Sequence, residues 1–112
     1  MGKYRWSPED DYICCRAYLE FVFVDETSHS LSEMIEMLHL KLPHIDKGSL
    51  RMKLQNIKQV ALDEGLEDSL DISPLSRYTR QCHKAFGLAT DALFEETGRR
   101  RKSLAKSKAA DA

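Results

Sequence analysis

The sequence predicts an all-α fold, with one helical domain followed by a basic tail. Its 112 residues are enough for a single domain with a modest core. Hydrophobic residues make up 42% of the chain and charged residues 31%, a balance typical of globular proteins. Apolar side chains recur at helical spacing in four successive segments, each preceded by a helix-start signal. We therefore expect a domain at residues 1–98, with three core helices at about 7–64, a fourth helix at about 74–97 and a flexible tail at 99–112.

The first helix is predicted from its capping residues. Ser7 precedes Pro8, which has no amide hydrogen to leave unsatisfied at the first helical position. Asp10 lies three residues after Ser7, as the carboxylate of a capping box does. The apolar pattern that follows predicts a largely buried helix that continues to about Val22.

The second helix has a similar start and a clear end. Ser30 and Glu33 form the pattern of another capping box. Pro43 disfavours the helical conformation of the residue before it, so we expect the helix to end at about Lys41. The apolar stripe of this helix consists of Leu31, Met34, Ile35, Leu38 and Leu42.

The third helix has two candidate starts and one predicted end. Ser49 is a suitable N-cap, and Asp46 competes with it. Gly65 is expected to end the helix. At 100° per residue, four apolar side chains fall within about 40° of the direction of Leu50 and form its inner face. They are Leu50, Leu54, Ile57 and Ala61.

The outer face of the third helix carries the residues best suited to read DNA. Arginine can pair with guanine and amide side chains with adenine in the major groove, while lysines can neutralise phosphates. A short turn joins this helix to an amphipathic helix before it, as in a helix-turn-helix unit. The residues expected to face base edges are Arg51, Met52, Gln55, Asn56 and Gln59. At about 240° Asn56 lies nearer the edge of this face, and the alternative for its amide is to cap the neighbouring helix or to bond a loop carbonyl. Those expected to contact phosphates are Lys47, Lys53, Lys58, Arg99, Arg100, Arg101 and Lys102. An ordinary solvated helix face is the alternative interpretation.

The last helix and the tail complete the predicted organisation. An acidic linker at 67–71 precedes Ser73-Pro74, which repeats the start signal of the first helix. Gly87 lies inside this helix and is expected to cost about 1 kcal/mol relative to alanine. The basic tail at 99–112 is interpreted as an arm that contacts phosphates or the minor groove, with a solubilising tail or a nuclear address as alternatives.

Several functional classes find little support in the sequence. We predict no enzyme, because the chain has neither a glycine-rich phosphate loop nor a nucleophile motif. No metal is expected, since the histidines lack partnering cysteine pairs. No cofactor or small-molecule substrate is expected either. The odd count of three cysteines predicts reduced thiols. The sequence has no apolar span and no secretory signal, so we expect a cytoplasmic location without membrane attachment.

Two motifs resemble known DNA-associated modules. Trp6-Ser7-Pro8-Glu9-Asp10 is similar to the W-[ST]-x-E-[DE] opening of Myb/SANT-type three-helix domains. The segment at 49–57, SLRMKLQNI, resembles the S-[LV]-x-M-K-L-x-N helix of small bacterial modules that stand alone or precede HNH-type restriction endonucleases. Leu42-Pro43 matches the end of their second helix. The resemblance covers residues 4–62 and implies DNA binding or recruitment; no HNH motif follows, so it implies no catalysis. The first helix is more acidic than that pattern, and its acids must face away from phosphates.

The sequence thus leads to two functional hypotheses. The first is a sequence-dependent protein of bacterial or phage origin that binds double-stranded DNA, as a transcription regulator or in a restriction or mobile-element system. The second is a protein-interaction module, either a homodimeric adaptor or an inhibitor of a host enzyme, which would use its acidic surfaces as the contact.

Overall fold

All regular secondary structure that the computed structural model describes is helical. It describes residues 5–24, 30–66 and 72–97. The predicted all-α class is confirmed for these residues. The predicted acidic linker at 67–71 and basic tail at 99–112 lie outside them. The helices are α1 (Pro8–Leu19), which continues into a π-helical turn (Glu20–Val24), then α2 (Leu31–Lys41), α3 (Lys47–Asp63) and α4 (Arg80–Thr97).

Both predicted capping boxes are present. At the start of α1 the hydroxyl of Ser7 accepts from the amide of Asp10 at 3.1 Å, and the Asp10 carboxylate accepts from the amide of Ser7 at 3.3 Å. At the start of α2 the hydroxyl of Ser30 accepts from the amide of Glu33 at 3.2 Å, and the Glu33 carboxylate accepts from the amide of Ser30 at 2.9 Å. The paired bonds satisfy amides that have no partner within the helix, which fixes where each helix begins.

The third helix begins at the earlier of its two candidate caps. The carboxylate of Asp46 accepts from the amide of Ser49 at 3.2 Å and from its hydroxyl at 2.7 Å. Ser49 therefore lies inside the first turn and supports the Asp46 cap instead of competing with it. Just beyond α3, Gly65 adopts a φ of 82°, a conformation that favours glycine and ends the helix as predicted.

The core lies where α1 packs against α3 and α4. α1 packs most extensively against α4, while α3 contacts each of the other three helices. The largest fully buried side chains come from all four helices and the segments between them: Tyr18, Leu19, Met34, Leu38, Ile45, Leu50, Leu54, Ile57, Val60, Leu66 and Phe86. Within the described ranges, none of the helices combines the length and the apolar character needed to cross a membrane.

The fourth helix begins later than the sequence predicts. Ser73-Pro74 has the form of a helix start, yet residues 72–79 are irregular and α4 begins at Arg80. The hydroxyl of Thr79 accepts from the amide of Cys82 at 3.0 Å, so threonine supplies the cap. The preceding residues are held along α3 by its side chains and backbone. These tertiary hydrogen bonds outweigh the local start signal.

Candidate nucleic-acid interface

The amino-terminal half of α3 presents three of the residues predicted to read DNA. Arg51 and Met52 are exposed, Met52 to 56%, and Gln55 is half-buried one turn further along. At 100° per residue these side chains lie between about 100° and 200° from Leu50, whose own side chain is fully buried. The inner face of the helix is thus fixed in the core while this outer face meets solvent. We call Lys47, Arg51, Met52 and Gln55 the α3 face.

Lys47 joins the α3 face from the first turn of the helix. Its ammonium donates to the carboxylate of Glu36 on α2 at 2.7 Å, and both side chains are about half or more exposed. This bond lowers the pKa of Glu36. A phosphate would have to compete with Glu36 for Lys47, but such an exposed ion pair contributes little and is easily exchanged.

Asn56 does not belong to the α3 face, and of the two roles considered for it the bond to loop carbonyls is the one that fits the structure. With its amide nitrogen directed toward residues 72–79, it donates to the carbonyls of Leu75 at 3.2 Å and Arg77 at 2.7 Å. The amide of Leu75 in turn donates to the backbone carbonyl of Gln55 at 3.1 Å. Asn56 thus attaches the segment that precedes α4 to the side of α3, and its amide is unavailable to a base edge.

Gln59 lies near an acidic group. Its amide donates to Asp63 at 2.9 Å, and the hydroxyl of Tyr78 donates to the same carboxylate at 2.5 Å. The Tyr78 bond, followed by the Gln59 bond, lowers the pKa of Asp63, while Asp63 raises the pKa of Tyr78. The carboxyl-terminal half of α3 therefore carries a stabilised negative charge, which repels phosphates. The predicted base contact by Gln59 does not fit this arrangement.

The predicted phosphate contact Lys53 is buried instead. Its ammonium lies 2.7 Å from the carboxylate of Asp11 and 4.6 Å from the centre of the Trp6 ring. Only 5% of the Lys53 side chain and none of the Asp11 side chain is exposed. Asp11 also accepts from the amide of Gln81 at 2.8 Å, and the same amide donates to the carbonyl of Trp6 at 3.0 Å. Lys53 joins α3 to α1 and α4 and is not presented to a ligand.

Lys58 is likewise buried, with 8% of its surface exposed, so the structure does not present it to a phosphate. Its position beside the apolar stripe of α3 explains this outcome, because packing of the neighbouring elements covers the flanks of the stripe as well as its centre. Arg99, Arg100, Arg101 and Lys102, the remaining predicted phosphate contacts, lie outside the described residues.

Two of the three acids in the first turn of α1 face inward, and the third does not. Asp10 is 6% exposed and Asp11 is fully buried, while Glu9 stays in solvent. Asp10 caps the helix and lies 3.6 Å from His44. The acidic surface on which the protein-interaction hypothesis depends is therefore not formed by these two side chains.

The cysteines and His39 are held within the fold. All three cysteines are free and buried, and burial raises the pKa of Cys14 to about 12, so its thiol is a poor nucleophile. His39 contacts the carbonyl of Ile45 at 2.9 Å. Across the described part of the chain, three or more histidine, cysteine or acidic side chains nowhere gather as they would around a metal ion.

Comparison with known proteins returns no match, whether to protein-family models, to curated proteins or to solved structures.

Proposed function

We propose that this protein binds double-stranded DNA through the α3 face. The observation that carries the proposal is the exposure of Arg51 and Met52, with Gln55 beside them, on a helix whose inner face is fixed in the core. In helix-turn-helix proteins the amino-terminal residues of the second helix of the motif make the base contacts. A connection of five residues, 42–46, separates α2 from α3, which suits a compact unit of this kind.

The side chains of the α3 face match the donor and acceptor pattern of the major groove. The guanidinium of Arg51 can donate two hydrogen bonds to guanine, and the amide of Gln55 can pair with adenine. Met52 offers an apolar surface to a thymine methyl group. Each bidentate pair contributes about 1–3 kcal/mol of discrimination against the wrong base. We therefore propose that sequence preference comes mainly from Arg51 and Gln55.

Lys47 supplies the electrostatic part of the proposed interface. It lies in the first turn of α3, where the Asp46 carboxylate already accepts from the amide of Ser49. Its ion pair with Glu36 is exposed, so a phosphate can replace the carboxylate. The bonds from Ser49 lower the pKa of Asp46, so a negative charge stays at this end of α3, and Lys47 has to offset it when a phosphate approaches.

Fluorescence anisotropy with a duplex selected from a random pool, measured at several salt concentrations, tests the proposal. Arg51→Ala should lose about 1–3 kcal/mol on the selected duplex and little on a scrambled one. Lys47→Ala should weaken binding to both duplexes and reduce the salt slope by about 1.

Arg77→Ala is the matched control, because Arg77 is exposed but lies outside the α3 face. The proposal is wrong if no duplex is enriched, or if Arg77→Ala removes the preference while Arg51→Ala leaves it unchanged. The first of these results would favour the protein-interaction hypothesis.

A further inference from the structure

The exposed side of α4 carries charges of opposite sign in its two halves. We call this row the α4 stripe; it consists of Arg80, Lys84, Gly87, Leu88, Asp91 and Glu95. Five of these residues are exposed and Gly87 is half-buried. At 100° per residue the row falls within about 50° of one line along the helix. Its amino-terminal half is basic, its centre is apolar and its carboxyl-terminal half is acidic.

The α4 stripe lies directly opposite the side of α4 that is buried in the core. Cys82, Phe86, Ala89 and Leu93 form that buried side. The charged residues at the flanks of the helix are paired within the chain. His83 contacts Glu64 at 2.9 Å, and Glu96 accepts from Arg16. The core and the flanking pairs therefore fix the direction in which the α4 stripe faces.

The order of charges in the α4 stripe is unfavourable for an isolated helix. Acids stabilise the amino-terminal end of a helix and bases the carboxyl-terminal end. α4 has no acid in its first turn and no base in its last turn. Arg80 and Lys84 are also like charges four residues apart, and so are Asp91 and Glu95, a spacing at which like charges repel. Stability of the single helix thus does not explain this arrangement.

A second copy of the same helix, packed antiparallel, converts each of these unfavourable features into a favourable one. We propose that the protein self-associates through the α4 stripe as a two-fold symmetric dimer. When the two-fold axis passes between Gly87 and Leu88, Arg80 faces the acid of Glu95 in the second copy and Lys84 faces Asp91. Every pair occurs twice, as an isologous contact requires. The basic half of each helix then neutralises the acidic half of the other.

The centre of the α4 stripe has the small and large residues that close helix packing requires. Leu88 is 54% exposed, and a Cβ added at Gly87 would meet nothing within 4 Å. In the proposed register Leu88 of each copy lies beside Gly87 of the other, where the missing side chain leaves room. A groove of about 390 Å³ borders the basic half and extends the apolar area beside Leu88. Pro8, Gln81 and Ala85 contribute to its lining.

Two variants with opposite charge changes test whether the α4 stripe is the interface. Arg80→Glu with Lys84→Glu makes the α4 stripe acidic throughout, and Asp91→Lys with Glu95→Lys makes it basic throughout. Each variant alone should remain a monomer. An equimolar mixture should form a heterodimer, because every antiparallel pair then joins opposite charges.

Sedimentation velocity of the full chain should be measured between about 5 and 200 µM, because an interface made by one helix face is small and such interfaces are weak. The wild type should shift toward twice its mass of 12.9 kDa as its concentration rises. Lys41→Glu with Arg77→Glu is the control, since it changes the net charge equally outside the α4 stripe. It should dimerise by itself and pair with the basic variant far less than the acidic variant does, because half of the charge pairs are then repulsive. Circular dichroism checks that every variant is folded.

Two results would overturn the proposal. One is a wild type that stays monomeric over the whole concentration range. The other is a pair of folded stripe variants that each dimerise as well as the wild type does. The proposal does not depend on DNA binding, and no DNA is present in this test, so its outcome is separate from that of the proposed function.

Discussion

The ammonium of Lys53 lies 2.7 Å from the carboxylate of Asp11, and both side chains are almost completely buried. Trp6 covers the ammonium, and Gln81 donates to the other carboxylate oxygen. One ion pair thus joins α3 to the start of α1 and to α4. Removing either charge would leave the other buried without compensation, which costs far more than the net contribution of the pair.

We expect Lys53→Ala to lower the free energy of unfolding by about 3–5 kcal/mol, because it leaves the Asp11 carboxylate unpaired. Urea denaturation followed by circular dichroism measures the loss. Lys41→Ala, which removes an exposed lysine from α2, should change stability by no more than about 0.5 kcal/mol. A Lys53→Ala loss as small as that of the control would show that the buried pair does not form.

Asn56 should contribute to stability through its donated hydrogen bonds. Asn56→Asp keeps the size of the side chain but directs carboxylate oxygens at the carbonyls of Leu75 and Arg77, so it should lower the free energy of unfolding by about 1–3 kcal/mol or more. Gln55→Ala is the neighbouring control, with an expected change of about 0.5 kcal/mol or less. Equal stability of Asn56→Asp and the wild type would contradict the attachment of residues 72–79 to α3.

The helix caps should each contribute measurably. Ser7→Ala and Ser30→Ala should each lower the free energy of unfolding by about 1 kcal/mol, because each leaves an amide of the first turn without its acceptor. Ser32→Ala serves as the control, since Ser32 is exposed inside the first turn of α2 and is not its cap. Chemical denaturation of the three variants measures these losses. Midpoints of Ser7→Ala and Ser30→Ala equal to that of Ser32→Ala would contradict the capping boxes.

The hydrogen bond between Tyr78 and Asp63 should couple stability to pH at both extremes. It lowers the pKa of Asp63 below 3.8, so its contribution is present above that value and is lost as the pH falls through the folded pKa. It raises the pKa of Tyr78 above 10.0, so the contribution is also lost as the pH rises through that folded pKa. An NMR titration should show the pKa of Asp63 moving up toward 3.8 in Tyr78→Phe. An unchanged pKa would contradict the bond.

Much of the fold could be predicted because local signals decided it. The capping boxes at Ser7 and Ser30 fix the starts of α1 and α2. Gly65 ends α3 with a positive φ, a backbone conformation that glycine adopts more readily than other residues. The start of α4 was predicted wrongly at Ser73-Pro74. Contacts with Asn56, distant in sequence, hold the chain in an irregular form there, and no local pattern encodes them.

The candidate site could be predicted only in its amino-terminal half. A helical wheel separates inner from outer positions, which was enough for Arg51 and Met52. It does not show which flank another element covers, so Lys53 and Lys58 were assigned to solvent although both are buried. The signal that could have shown the burial of Lys53 is Asp11, because a buried acid requires a partner of opposite charge.

The adjacent side chains of Gln55 and Asn56 provide the most direct measurement of the proposed DNA contact. Both carry an amide group that NMR can follow, but only Gln55 belongs to the α3 face, while Asn56 is bonded to the carbonyls of Leu75 and Arg77. The selected duplex should be titrated into the labelled full chain. DNA binding through the α3 face predicts that the side-chain amide signals of Gln55 shift while those of Asn56 stay in place. Shifts of Asn56 without shifts of Gln55, or no shift of either, would contradict it.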